Sequence, residues 1–112
     1  MRTPWGRAQD TQEIAPGVLL VSTAGHGGFK LDRARNAKVP APCRRRGGFY
    51  EEDCEAHIVL AVHQDVQRAC LISPSRTAES LAYWLPDAYV TLRDAGFVTP
   101  TAESESRLSK NS

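Results

Sequence analysis

The chain has 112 residues, a formal net charge of +1, 41% hydrophobic and 24% charged residues, so one core is expected and a second independent domain is not. The small total hides a polarity: residues 1–50 carry nine Lys/Arg against three Asp/Glu, and residues 51–112 carry five against ten. This disfavours both a uniformly basic nucleic-acid binder and a uniformly acidic nucleic-acid mimic.

Leu, Ile, Val and Phe number only 23, close to the level at which chains fail to order, so the core must be small. At the N-terminus, Arg2 is followed by Thr3-Pro4-Trp5-Gly6 rather than an apolar run, and no secretory signal is expected. Ala15-Pro16-Gly17 is a turn signal, because Pro presets φ and Gly supplies a positive one. The β-branched run over residues 18–23 is the best strand in the chain. Gly25-His26-Gly27-Gly28 forces a second turn, and Phe29-Lys30-Leu31 returns. A three-stranded antiparallel meander over residues 10–31 follows.

Asp32 is placed to cap a short helix over residues 33–38 that stops before Pro40. Pro40-Ala41-Pro42 and Gly47-Gly48 bracket a loop that carries Arg44, Arg45 and Arg46. The acidic residues 51–55 lead into Ile58-Val59-Leu60-Ala61-Val62, the longest apolar run and far short of the roughly 18 residues that cross a bilayer. Cys54, Ile58, Ala61 and Val62 share one face at helical spacing, which favours a helix over residues 51–63. A buried strand over residues 58–62 satisfies the same pattern, and both readings stand.

Residues 65–75 read as a connector with room for a helical turn over 66–70. A helix opens at Pro74, with Ser75 or Thr77 as cap and Leu81, Trp84 and Leu85 as its apolar stripe. It breaks at Pro86-Asp87-Ala88 and resumes to Gly96, a residue suited to the position after a helix end. Beyond Pro100 the only apolar side chain of consequence is Leu108. The expectation is one domain over residues 1–100 and a disordered polar tail over 101–112.

Four constellations carry candidate chemistry. In the loop of His26, Gly27 and Gly28, glycines let a backbone approach a ligand and form an anion nest, with His26 as acid, base or ligand. The phosphate-loop pattern is absent, and a plain hairpin turn is the alternative. Cys54 and His57 stand one helical turn apart, but no recognised metal-ligand spacing completes them.

A Cys54–His26 pair is the catalytic alternative, although acidic neighbours raise a thiol's pKa. Otherwise Cys54 is a buried structural residue. Cys43, Cys54 and Cys70 are unevenly spaced and odd in number, as expected of reduced thiols in a cytoplasm.

Glu51, Glu52, Asp53 and Glu55 suit either a hard cation or a solvated acidic face. Arg44, Arg45 and Arg46, with Lys30, Arg33, Arg35 and Lys38 nearby, lack the interleaved aromatics of a nucleic-acid site. They point instead to a salt-dependent protein contact or to internal pairing with the acidic block. Trp5 and the aromatic cluster over residues 83–89 are expected in the core, with an exposed partner anchor as the alternative.

Thr3-Pro4-Trp5-Gly6-Arg7-Ala8-Gln9, Ile14-Ala15-Pro16-Gly17, Ser22-Thr23 with His26-Gly27-Gly28 and Lys30-Leu31, Tyr50-Glu51-Glu52-Asp53-Cys54-Glu55, and Trp84 with Pro86-Asp87-Ala88 resemble an uncharacterised small domain family encoded by proteobacterial phages and plasmids. The resemblance covers about residues 3–90, is weakest over 64–75 and does not include the tail. It implies an accessory protein of a mobile element in a bacterial cytoplasm.

The expected fold is α+β, a small antiparallel sheet from the N-terminal third packed against two or three helices. Two functions follow. One is a non-enzymatic protein that binds and inhibits or modulates a host protein, concretely an anti-CRISPR-type inhibitor of a CRISPR effector component. Its expected contacts are Arg44, Arg45, Arg46, Glu51, Glu52 and Asp53. The other is a small Cys/His-dependent enzyme or metal-binding domain using His26, Cys54 and the acidic run. No cofactor, membrane or direct nucleic-acid partner is expected.

Overall fold

A computed structural model describes residues 1–111. A small hairpin of β1 (Arg2–Thr3) and β2 (Gly6–Arg7) precedes an antiparallel sheet in which β3 (Asp10–Ala15), β4 (Val18–Ser22) and β5 (Gly27–Leu31) form the expected meander. The β3–β4 turn is built as the sequence dictates. Gly17 takes φ +82°, and a side chain there would collide with the Asp32 carboxylate. Asp32 N–H donates to Gly17 O at 2.9 Å. The Asp32 side chain accepts the Arg35 N–H at 2.8 Å, which caps α1 (Arg33–Ala37). Turn, strand end and helix start are thus tied at one point.

A fourth strand, β6 (Phe49–Glu51), pairs with β5 and sets Gly28 opposite Glu51 and Phe29 opposite Tyr50. The helix expected from residue 51 therefore begins later, as α2 (Ala56–Val62). The Glu55 carboxylate accepts the Glu51 N–H at 3.1 Å, which holds residues 51–55 in a turn. Ile58, Val59, Leu60 and Ala61 are all buried, so α2 is enclosed on every side and its pattern shows no amphipathic period. Between α2 and α3 (Gln64–Cys70), His63 leaves helical geometry (φ −112°, ψ 92°).

Helix α4 (Pro74–Trp84) is capped by Ser73, whose hydroxyl accepts the Arg76 N–H at 3.1 Å, in place of the expected Ser75 or Thr77. Pro86 opens α5 (Pro86–Asp94). The core lies between the sheet and these helices, with Val18, Phe29, Leu31, Tyr50, Leu81, Tyr89 and Leu92 among its members. This is the expected α+β fold with more helices than anticipated. No helix among the described residues is long and apolar enough to cross a membrane.

The expected disordered tail is α6 (Ala102–Asn111). Thr101 and Ser104 cap it reciprocally: Ser104 N–H donates to the Thr101 hydroxyl at 2.9 Å, and Thr101 N–H donates to the Ser104 hydroxyl at 2.8 Å. That is a capping box with Ser in the place usually held by Glu or Gln. The Tyr89 hydroxyl, from α5, bonds Ser104 at 2.8 Å and donates to Glu105, and Glu105 pairs with Arg93 at 3.1 Å. These polar bonds to α5, together with Leu108 packed against the core, hold this helix down. Residue 112 lies outside the described residues.

Candidate functional site

The glycine loop and the acidic segment are neighbours. Thr23 closes the turn after β4, its hydroxyl donating to His26 O at 2.9 Å and its N–H donating to the same oxygen at 2.8 Å. Gly27 and Gly28 then enter β5 with no positive φ, so they do not build the anion nest that the sequence suggested. Their role is close approach: a side chain on Gly28 would collide with the Tyr50 carbonyl and press into the Trp5 ring. Trp5 stands edge-on to Phe49 at 5.7 Å, and the Lys30 ammonium lies over Phe49 at 5.2 Å.

Across the β5–β6 pair, Glu52 N–H donates to Gly27 O at 3.0 Å, and His26 Nδ1 lies 3.7 Å from Glu51 Oε1. His26 thus meets Glu51 and makes no hydrogen bond to Cys54. Burial pushes the Cys54 thiol up; the Glu55 N–H hydrogen bond opposes this, and the Glu55, Glu51 and Asp53 carboxylates add to it. That is the wrong direction for a ready nucleophile. No group of three His, Cys, Asp or Glu side chains placed to hold a metal occurs among the described residues. His57 is mostly enclosed and its Nδ1 has no hydrogen-bond partner; burial, then Arg76, lowers its pKa.

The arginine loop is largely spent inside the fold. Arg44 donates to Val39 O at 2.9 Å and to Ala37 O at 3.2 Å, satisfying carbonyls at the end of α1. Arg45 pairs with Glu55 at 2.8 Å and donates to Cys43 O at 3.2 Å. Its N–H donates to the buried Tyr50 hydroxyl at 3.2 Å, and that hydroxyl donates to Asn36 Oδ1 at 2.6 Å. Burial pushes the Tyr50 phenol up, so it stays a donor.

Elsewhere Arg35 from the basic half grips Asp65 from the acidic half through two bonds, at 2.8 and 2.7 Å. The hydrogen bond to Arg35 holds the Asp65 carboxyl down at about 2. The opposed charges of the two halves therefore serve in part to close the fold. Of the expected contacts, Arg46, Glu52 and Asp53 are exposed and form no ion pair among the described residues.

The aromatic cluster departs most from expectation. Tyr89 is buried, but Trp84 is 62% and Tyr83 51% exposed, in edge-to-face contact at 4.6 Å. Ala78, Leu81 and Ala82 take the inner face of α4, and Trp84 falls outside that face on the last turn before Pro86. The small residues at 78 and 82 were the legible signal, since they mark where α4 meets its neighbours most closely.

Trp84 borders two clefts. One, about 380 Å³, is lined by Tyr83, Trp84, Glu103, Arg107 and Lys110. The other, about 310 Å³, includes Pro42, Arg45, Pro86 and Asp87. The Arg107 guanidinium lies 5.8 Å over the Tyr83 ring, held by Glu103 at 3.0 Å and by Glu79 O at 3.2 Å. Sequence reasoning could not place Arg107 here because it treated α6 as disordered.

No curated protein and no solved structure matches this chain. A family model matches residues 1–111, including residues 64–75, where the resemblance noted in the sequence is weakest, and α6. The chain belongs to that family, described as a domain of unknown function, DUF7007.

Proposed function

We propose that the protein works by binding another protein, without chemistry of its own, through the face centred on Trp84 and Tyr83. The carrying observation is this edge-to-face pair, more than half exposed between two clefts with Arg45 and Arg107 beside it. Trp, Tyr and Arg are the residues that dominate binding energy at protein interfaces, and two rings already held edge to face lose little side-chain freedom on docking. Arg46, Glu52 and Asp53 supply unpaired charge that steers association. The phage and plasmid setting implied by the sequence resemblance makes a host protein the partner. Inhibition of a host defence component, such as a CRISPR effector subunit, is the concrete form.

The test compares wild-type and Trp84→Ala baits in host lysate and then measures affinity for each protein retained. The reading expects a partner whose affinity falls by at least about thirtyfold with Trp84→Ala, the size of a hot-spot loss. Retention of the same proteins by both baits at equal affinity would remove this face from the interface.

A further inference from the structure

We propose that the cleft between the α3–α4 connection and the α5–α6 connection is a second binding site, for a small amphipathic anion with an apolar body and one carboxylate. The cleft encloses about 650 Å³, within the range of small-molecule sites. It shares no lining residue with the clefts beside Trp84. Ala61, Ile72, Phe97 and Val98 give it apolar walls. Arg68 is its only charged lining residue, with no carboxylate in the lining and no ion pair among the described residues. An anion is the ligand that this unbalanced charge selects.

Two further observations fit the site. Leu71 ends α3 in the left-handed region (φ 57°, ψ 33°) and is 91% exposed at the cleft. Gly or Asn ordinarily takes this backbone, since other residues are strained there. Its side chain gains no burial within the fold to offset that strain. A bound apolar body gives it something to cover, and strained residues concentrate at binding sites for such reasons. Thr77, from the first turns of α4, is only 2% exposed, and its hydroxyl has no hydrogen-bond partner. It lies in the same wall. The Arg68 guanidinium at the rim is the charged donor to the carboxylate, and the Thr77 hydroxyl, closed off beneath the wall, gains a partner when the wall yields to the ligand.

Octanoate is the probe and octylammonium its charge-reversed control, each titrated into the whole protein and followed by amide chemical shifts. Octanoate should saturate with shifts confined to residues 61–77 and 96–99, while octylammonium binds at least about tenfold more weakly. Arg68→Gln should cost octanoate about twofold to fivefold in affinity, in the range of a rim charge contact, and erase the discrimination. Leu71→Asn should raise the unfolding midpoint by relieving strain yet weaken binding, which separates loss of the site from loss of the fold. Absence of saturable octanoate binding, equal binding of the two probes, or shifts centred on Trp84 would each overturn the proposal.

Discussion

The loop and turn over residues 44–55 and the Trp84 face invert what their compositions suggest. The first is the most charged stretch of the chain, and the fold consumes much of it: Arg44 on the Ala37 and Val39 carbonyls, Arg45 on Glu55, and Glu55 on the backbone of β6. The second carries the aromatic area a small core would be expected to claim, and it leaves that area at the surface. Charges at close sequence range can satisfy one another before they meet a partner. A large ring at a helix end has no such internal outlet once small residues have taken the inner face.

The sharpest way to break this comparison is at the seam that makes the charged turn possible. Gly28→Ala should cost about 3 kcal/mol, at the upper end of overpacking effects, because the new methyl meets the β6 backbone at Tyr50, which cannot give way without breaking the pairing, and presses on the Trp5 ring. Urea unfolding midpoints measure this. A loss below about 0.5 kcal/mol would mean that β6 is not seated on β5 as described. Next in size is a contrast within the arginine loop itself. Arg45→Glu sets a carboxylate against Glu55 and should cost about 1–2 kcal/mol, whereas Arg46→Glu should stay within about 0.5 kcal/mol of wild type. Losses within about 0.5 kcal/mol at both positions would mean that the loop is all surface, and the contrast with the Trp84 face would collapse.

How much of this could be read from residues alone follows from where each element gets its stability. The meander was legible because β-branched residues and Pro16-Gly17 specify it locally, and α1 was legible because Asp32 is an ordinary cap. Strand β6 was not, since Phe49-Tyr50-Glu51 is strand only by virtue of the bare backbone of Gly28 opposite. Helix α6 was missed because its anchors, Tyr89 to Ser104 and Arg93 to Glu105, are polar and come from another helix. Among the site residues, the adjacency of His26 to the acidic segment was legible as two motifs but not as a pairing with Glu51 in place of Cys54. Outward placement of Trp84 depended on knowing which side of α4 faces the core.

A smaller effect comes from the histidine wedged between the two charged halves. His63 is buried. Its Nε2 donates to Arg35 O at 3.0 Å, and its Nδ1 then accepts from the Arg35 guanidinium at 3.3 Å. Protonation would turn that acceptor into a donor facing a cation. Burial, with help from the Arg35 and Lys38 charges, holds its pKa below the ordinary 6.5.

A depressed pKa in the folded state means that the unfolded chain binds the proton first as pH falls. The contribution is therefore complete above about pH 6.5 and is lost as pH drops from there toward the folded value, at no more than about 1.4 kcal/mol per pH unit for each such histidine. The Arg35–Asp65 pair is unaffected in that window because Asp65 titrates at about 2. His57 shifts the same way, so His63→Gln should remove part of the decline between pH 7 and 5, and adding His57→Gln should remove most of the rest. A decline unchanged in the double variant would place the acid sensitivity elsewhere.

A small expected effect on stability falls at the residue with the largest expected effect on binding. Trp84→Ala removes a side chain that is 62% exposed and whose main aromatic contact is Tyr83, itself half exposed. Little apolar area returns to water, so the unfolding midpoint should move by no more than about 0.5–1 kcal/mol equivalent, far below the roughly 3–5 kcal/mol for deleting a buried aromatic. Tyr89→Ala, at a buried ring on α5 that also holds α6, provides that upper reference in the same protein. If Trp84→Ala destabilised as severely as Tyr89→Ala, the ring would be a structural member of the fold, and its exposure would no longer favour a docking role. If the two differ as expected, the fold does not depend on the Trp84 ring, which leaves it available for the docking role proposed above.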